Sequence, residues 1–248
     1  TFGDTFVRVS NFDMLVHSTE DLILFDRWPV DDVFDQVAAN VASVIEDGSC
    51  IAFSLGPLFE ALSPHLALKK DLGVHSPFFT DALMDLVESG AVSNRYKEIF
   101  RGKCLASYAF GTREMMDWLN RNPLVEFQGV DKVFSPTQIG RNPRFVAALP
   151  ARKVDLSGRI ALHFGKGNVS AGPAEVIDFF HGADLSPGGR TIFALPSRNL
   201  KGEPNIRISV EEFPNQFGMG PGADMVITEY GVASLIGRSV RERAQALI

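Results

Sequence analysis

Short apolar strands alternate with amphipathic helices along this sequence, and that order predicts an α/β domain with a mostly parallel sheet flanked by helices. Three observations carry the prediction. Asp31–Ile45 places Val33, Val37, Ala38, Val41 and Ile45 on one helical face, and the Asp47-Gly48 turn leads from it into a short apolar strand, Cys50–Phe53. The same alternation recurs through both halves of the chain. With 248 residues, 45% apolar and 22% charged, the chain can bury a sizeable core without a disulfide or metal.

The elements follow in order. Gly56-Pro57 opens a second helix through Leu58, Leu62 and Leu66. Leu72–His75 reads as a short strand, Phe78–Val87 as a helix ended by Gly90, and Lys103–Phe110 as a strand. Thr112 caps a helix to Leu119. In the second half Phe145–Leu149, Arg159–Phe164, Arg190–Leu195 and Met225–Thr228 read as strands, and Pro173–Phe180 as a helix with proline near its start. The Pro/Gly-rich stretch Lys201–Gly222 is expected to be a long loop or a hairpin with a loop, of the kind that borders a ligand crevice. Residues 1–248 are read as a single domain.

The last helix begins at Ser239, a fair N-cap, with Val240, Ala244, Leu247 and Ile248 apolar and Arg241, Glu242 and Arg243 charged. The chain starts at Thr1 without a methionine and stops inside that helix. A piece of a longer protein is the expectation.

Charge excludes several classes. Against 24 basic residues stand 30 acidic ones, for a net charge of −6 and a pI of about 5.4. Nucleic-acid binders carry a basic excess, and an anionic chain is repelled by acidic membrane surfaces, so neither partner is expected. No apolar run approaches a membrane span and no signal peptide is visible, which makes the cytoplasm the expected location. Cys50 and Cys104 are two cysteines in apolar stretches and read as reduced core thiols.

Several motifs fail on spacing. Phe164-Gly165-Lys166-Gly167-Asn168 lacks the spacing and Ser/Thr of a phosphate loop and reads as a turn. Histidines 17, 65, 75, 163 and 181 show no metal-ligand spacing, and there is no GxSxG elbow. Asp81, Asp85 and Glu88 fall on one helical face, either a solvated face or the seat of a catalytic carboxylate.

Four segments together are similar to a known family: Asp71–Ala91, Asn120–Leu124, Ala183–Arg198 and the closing Ala223–Ile248. They resemble the acetyl-CoA hydrolase/transferase family, which includes acetate and 4-hydroxybutyrate CoA-transferases, and the closing segment is the most specific. IEDGSCIAFSLGPLFEAL resembles the family's glycine-rich strand–helix junction, while the residues before Val33 match poorly. The resemblance implies a CoA-transferase-type fold and the C-terminal half of such an enzyme. It implies coenzyme A or acyl-CoA as substrate or ligand with no other cofactor. An N-terminal half or a fused domain, and a homo-oligomer, are its implied partners. In such enzymes a glutamate attacks the acyl-CoA thioester, CoA returns to form a glutamyl thioester, and a second acid or water completes the cycle. Glycine-rich loops supply oxyanion donors. Gly56, Ser170, Ala171, Gly172 and Glu229 are the implied CoA or substrate-binding positions. Glu229 lies in the Thr228-Glu229-Tyr230-Gly231 match and reads either as a crevice residue or as an anchor for the following turn.

The sequence departs from that pattern twice. The family's nucleophile is expected directly after His75-Ser76, and here that position is Pro77, which has neither a nucleophile nor an N–H. Ser76 and Pro77 together read as an N-cap and first helical residue. The family's glycine-rich loop corresponds to Ser170–Phe179, which keeps Gly172 and carries Pro173. The expected function is therefore a domain that binds CoA or acyl-CoA with its transfer chemistry lost or changed. The alternative is an active CoA-transferase or acyl-CoA hydrolase with a displaced carboxylate, Asp81 or Glu88.

Overall fold

The computed structural model describes residues 1–162, 175–211, 216–217 and 223–248. Its strands are β1 (Phe2–Gly3), β2 (Cys50–Ala52), β3 (Gly73–Val74), β4 (Phe78–Phe79), β5 (Cys104–Ala106), β6 (Tyr108–Ala109), β7 (Val125–Phe127), β8 (Phe145–Pro150), β9 (Lys153–Asp155), β10 (Ile160–Ala161), β11 (Arg190–Ala194), β12 (Ile206–Arg207), β13 (Gln216–Phe217), β14 (Met225–Thr228) and β15 (Gly231–Ser234). The helices are α1 (Asp32–Ser43), α2 (Pro57–Leu66), α3 (Asp81–Glu88), α4 (Arg113–Leu119), α5 (Val130–Val133), α6 (Pro136–Ile139), α7 (Glu175–Leu185) and α8 (Val240–Leu247).

A six-stranded sheet in the order β15-β14-β11-β8-β2-β3 forms the centre. Its pairs are parallel except β14 with β15, which form an antiparallel hairpin at one edge. Beyond β3, a His75–Leu105 bridge continues the surface into the parallel order β5-β7-β1. Side chains alternate between the two faces along each strand. Ile51, Phe53 and Val74 thus join α1–α3 in one core with Val37, Val41, Leu62 and Leu83. Cys50, Ala52, Phe145, Leu149 and Phe193 join α7 in the other, around Phe179. Burial on both faces explains why these strands read as near-continuous apolar runs.

The two cysteines fall on opposite faces, each buried and free. Burial pushes the Cys50 thiol up to about 12 and raises that of Cys104 as well. Both are packing thiols, as expected.

Several sequence expectations are corrected here. α3 begins at Asp81 rather than Phe78, with Thr80 as N-cap, so Ser76 and Pro77 are not its cap and first residue. They sit in extended chain, because Pro77 O accepts from the amides of both Ser107 and Tyr108. That contact also splits the single strand expected over Lys103–Phe110 into β5 and β6. The strand expected at Arg159–Phe164 is described as β10 alone, and 163–164 lie outside the described residues. α7 runs on to Leu185, and its expected start at Pro173 also lies outside them. The stretch 201–222 carries short strands β12 and β13, paired with β9 and β10 in a small separate sheet. Ser239 does cap α8, in a full capping box with Glu242.

Candidate functional site

The chain steps outward from β2 to β3 on one side, and from β8 through β11 to β14 on the other. The order of strands therefore reverses between β2 and β8, and ligand crevices of open parallel sheets form outside the carboxyl ends of strands at such a point. Phe53-Ser54-Leu55-Gly56 leaves β2 there. Gly56 has φ 126° and is the N-cap of α2, with Pro57 in the first helical position. A side chain at that φ would be strained, which explains the glycine. Gly56 O accepts from the amides of Phe59 and Glu60, closing the first helical turn.

The end of β3 is stitched to β2 and β5 through His75 and Ser76, both fully buried. His75 N–H donates to Ile51 O and Ser76 N–H to Leu105 O. The Ser76 hydroxyl donates to Phe53 O at 2.8 Å and accepts from Phe53 N–H at 3.0 Å. Ser76→Ala would leave both groups of Phe53 buried without partners, and is expected to cost about 2–3 kcal/mol by urea unfolding. A loss below about 0.5 kcal/mol would show that the ladder closes without the hydroxyl. Pro77 follows, itself buried.

The His75 ring is locked on both sides. One ring nitrogen lies 2.8 Å from Val133 O, and the other 3.0 Å from the Asn142 amide nitrogen. Nε2–H therefore donates to Val133, and Nδ1 accepts from Asn142, which fixes a neutral tautomer. Burial, reinforced by the Lys97 charge, pushes its pKa down to about 3. The Lys97 ammonium, also buried, donates to Val74 O and Lys103 O where the two parallel sheets meet, and burial lowers its pKa.

Between the Ser54–Gly56 loop and the start of α3 lies a cavity of ≈ 50 Å³, bordered also by Trp28, Thr80 and Asp81. Asp81 is buried and accepts from Thr112 N–H at 3.1 Å and the Thr112 hydroxyl at 2.5 Å. Arg27 comes from the segment that precedes α1 and meets carboxylates of α2 and α3. It makes a two-pronged pair with Asp85 at 2.7 Å, and lies 3.7 Å from Glu60 and 3.9 Å from Asp81. Burial raises the Glu60 pKa, and Arg27 opposes that shift. The Thr80 hydroxyl is buried with no hydrogen-bond partner among the described residues, a state that costs about 1–3 kcal/mol.

Of the residues singled out from sequence, Gly56 and Asp81 meet at this cavity, with Pro77 three residues before Thr80. Glu88 is exposed at the far end of α3 and does not join them. Glu229 stands at the end of β14, where its carboxylate accepts from the Ser197 amide at 2.7 Å and the Ser197 hydroxyl at 2.6 Å. It ties the chain leaving β11 rather than its own turn, which the Thr228 hydroxyl holds by accepting from Tyr230 N–H. Ser170, Ala171 and Gly172 lie outside the described residues. Arg27, Glu60 and Thr80 were not anticipated. The spacing of Glu60, one turn after Gly56, was the available signal for that residue, whereas nothing local marks Arg27.

Comparison with known proteins places this geometry. The model of the "Acetyl-CoA hydrolase/transferase C-terminal domain" matches residues 111–248. The chain belongs to the acetyl-CoA hydrolase/transferase family. Within that family it is 36% identical to a 4-hydroxybutyrate coenzyme A transferase of Clostridium kluyveri, over 100% of the chain and 58% of that protein. It is 31% identical to a succinyl-CoA:cyclohexane-1-carboxylate CoA transferase of Geobacter metallireducens, over 100% and 57%. Among solved structures, RipA from Yersinia pestis superposes with a TM-score of 0.90 at 28% identity, covering 97% of the chain and 55% of that protein. The 4-hydroxybutyrate CoA-transferase from Porphyromonas gingivalis gives 0.79 at 33% identity, over 90% and 53%. The chain thus spans about half the length of the curated relatives it matches. The fold is a CoA-transferase-type α/β domain, and among the described residues no helix is long and apolar enough to cross a membrane.

Proposed function

We propose that this domain binds coenzyme A or an acyl-CoA at the carboxyl edge of its parallel sheet, and that the family's transfer chemistry is lost or changed in it. One observation carries the second half of the reading. The position that holds the glutamate nucleophile in the family pattern is Pro77, buried, without an N–H, and with its carbonyl committed to Ser107 and Tyr108. CoA is a substrate or ligand in this reading, not a resident cofactor. An N-terminal half or fused domain completes the crevice, a homo-oligomer is compatible with it, and the cytoplasm suits two buried reduced thiols.

A second reading has support from one place. Asp81 borders the same cavity as Gly56, so a displaced carboxylate could attack a thioester there and make the protein an active CoA-transferase or acyl-CoA hydrolase. Glu88, the other substitute, is exposed two turns away and has no such support. Against Asp81 stands its commitment to Thr112, which holds both carboxylate oxygens.

The test is to incubate the full-length protein with acetyl-CoA, trap with hydroxylamine or borohydride, and map peptides by mass spectrometry. No CoA adduct is expected on any carboxylate. An adduct on Asp81, Asp85 or Glu88 would replace this reading by the second. Pro77→Glu is expected to remain silent in CoA exchange between acetyl-CoA and other carboxylic acids. The family's oxyanion loop is altered to Ser170-Ala171-Gly172-Pro173, and each lost donor costs about 3–4 kcal/mol of transition-state stabilisation. Turnover clearly above the parent would mean that Pro77 alone silences the site.

A further inference from the structure

We propose that the cavity beside Gly56 is a subsite for a short, uncharged acyl group, whose carbonyl oxygen accepts a hydrogen bond from Thr80. The substrate class rests on the acyl-CoA reading above; the subsite itself rests on the walls, size, charge and one spare hydroxyl of this cavity.

The apolar part of the wall is mostly aromatic: Phe25, Trp28, Leu55, Phe59 and Phe110. Phe25 and Phe110 meet edge to face at 5.1 Å, and Phe25 N–H donates to Gly111 O, so the segment before α1 is pinned as one wall. The space is ≈ 50 Å³. One water needs ~10–15 Å³ of such space, so the cavity takes on the order of four non-hydrogen atoms, the size of an acetyl or propionyl group.

Thr80 supplies the polar contact. It is 6% exposed, and its hydroxyl has no partner among the described residues. A threonine at an N-cap ordinarily accepts from an amide of the first turn, and this one does not. Its own carbonyl already accepts from the amides of Leu83 and Met84. The hydroxyl is therefore a spare donor among the described residues, on a side chain that borders the cavity. Two helices, α2 at Gly56 and α3 at Thr80, turn their N-termini toward the same space, which favours the partial negative charge of a carbonyl oxygen.

Full negative charge is disfavoured. Asp26, Glu60 and Asp81 border the cavity, and Arg27 is already shared among Asp85, Glu60 and Asp81. A free carboxylate would add to this acidic surround, whereas a thioester acyl group would not. The site thus selects the acylated form over the free acid.

The test titrates the full-length protein with acetamide, propionamide, hexanamide and propionate by saturation-transfer NMR, alongside acetyl-CoA. Propionamide is expected to saturate, with propionate roughly tenfold weaker and hexanamide excluded. Thr80→Val should weaken propionamide roughly fivefold, the value of one neutral hydrogen bond, while Thr80→Ser keeps the parent affinity to within about twofold. Melting curves of both variants check that the fold is retained. Equal binding to parent and valine variant, equal binding of hexanamide, or no saturation by any amide would overturn the subsite. Loss of amide saturation with acetyl-CoA binding intact removes the subsite alone. Amide saturation sensitive to Thr80→Val, with no acetyl-CoA binding, upholds a small-carbonyl site and overturns the acyl-CoA reading instead.

Discussion

Acidification from pH 6.5 to 3 is expected to weaken the fold by up to about 4–5 kcal/mol through a single imidazole. His75 titrates at about 3 in the folded protein, against about 6.5 in an unfolded chain. Between those values the unfolded state holds a proton that the folded state refuses. The stabilisation from neutral His75 is complete above pH 6.5 and is lost as pH falls, at about 1.4 kcal/mol per unit. The causes are visible: full burial, the Lys97 charge, and an Asn142 amide that donates to Nδ1 and would face a second donor if the ring were protonated. Urea unfolding at pH 7, 5 and 4, for the parent and His75→Gln, isolates this contribution from the carboxylates. The parent should show the steeper loss, and superimposable pH profiles would remove His75 as its source.

Phe179→Ala is expected to cost about 3–5 kcal/mol, the range for deleting a buried aromatic ring. Phe179 is fully buried, and its ring lies 5.7 Å from that of Phe134, 6.1 Å from Phe145 and 6.2 Å from His75. Removing it opens a cavity beside an imidazole that is neutral because it is dry. A protein of this size should lose on the order of 10 °C in melting temperature, and water entering the gap should raise the His75 pKa. Calorimetry and the imidazole proton shifts measure the two effects. A loss below about 1 kcal/mol would mean that α7 collapses onto the gap.

Legibility of the sequence followed the range of the interactions. α1, α2 and α4 were readable because their apolar spacing is local; Thr112 caps its helix as expected, and Asp31, read as the start of the first helix, is its N-cap. The central strands were readable because both faces are buried. Ser76-Pro77 misled because its local pattern is that of an N-cap followed by a first-turn proline. A ladder partner some thirty residues away, at Ser107 and Tyr108, decides its conformation instead. Within the candidate site, Gly56 and Asp81 were legible from motif and helix position. The sharing of Arg27 among Glu60, Asp81 and Asp85 was not, because it depends on where an extended segment comes to rest. Glu88 shared a predicted helix face with Asp81, yet two turns of helix carry it out to solvent.

The reversal of strand order between β2 and β8 also bears on how the chain is made. β2 needs both of its neighbours, and one of them begins only at Phe145. At ~5–20 residues per second of synthesis, the apolar edge Cys50–Ala52 waits on the order of 5–20 s for that partner. Over that interval the nascent chain presents an unpaired, uncharged strand edge of the sort that templates wrong associations. Folding yield in the cell is thus tied to whatever shields this edge until Phe145 has emerged.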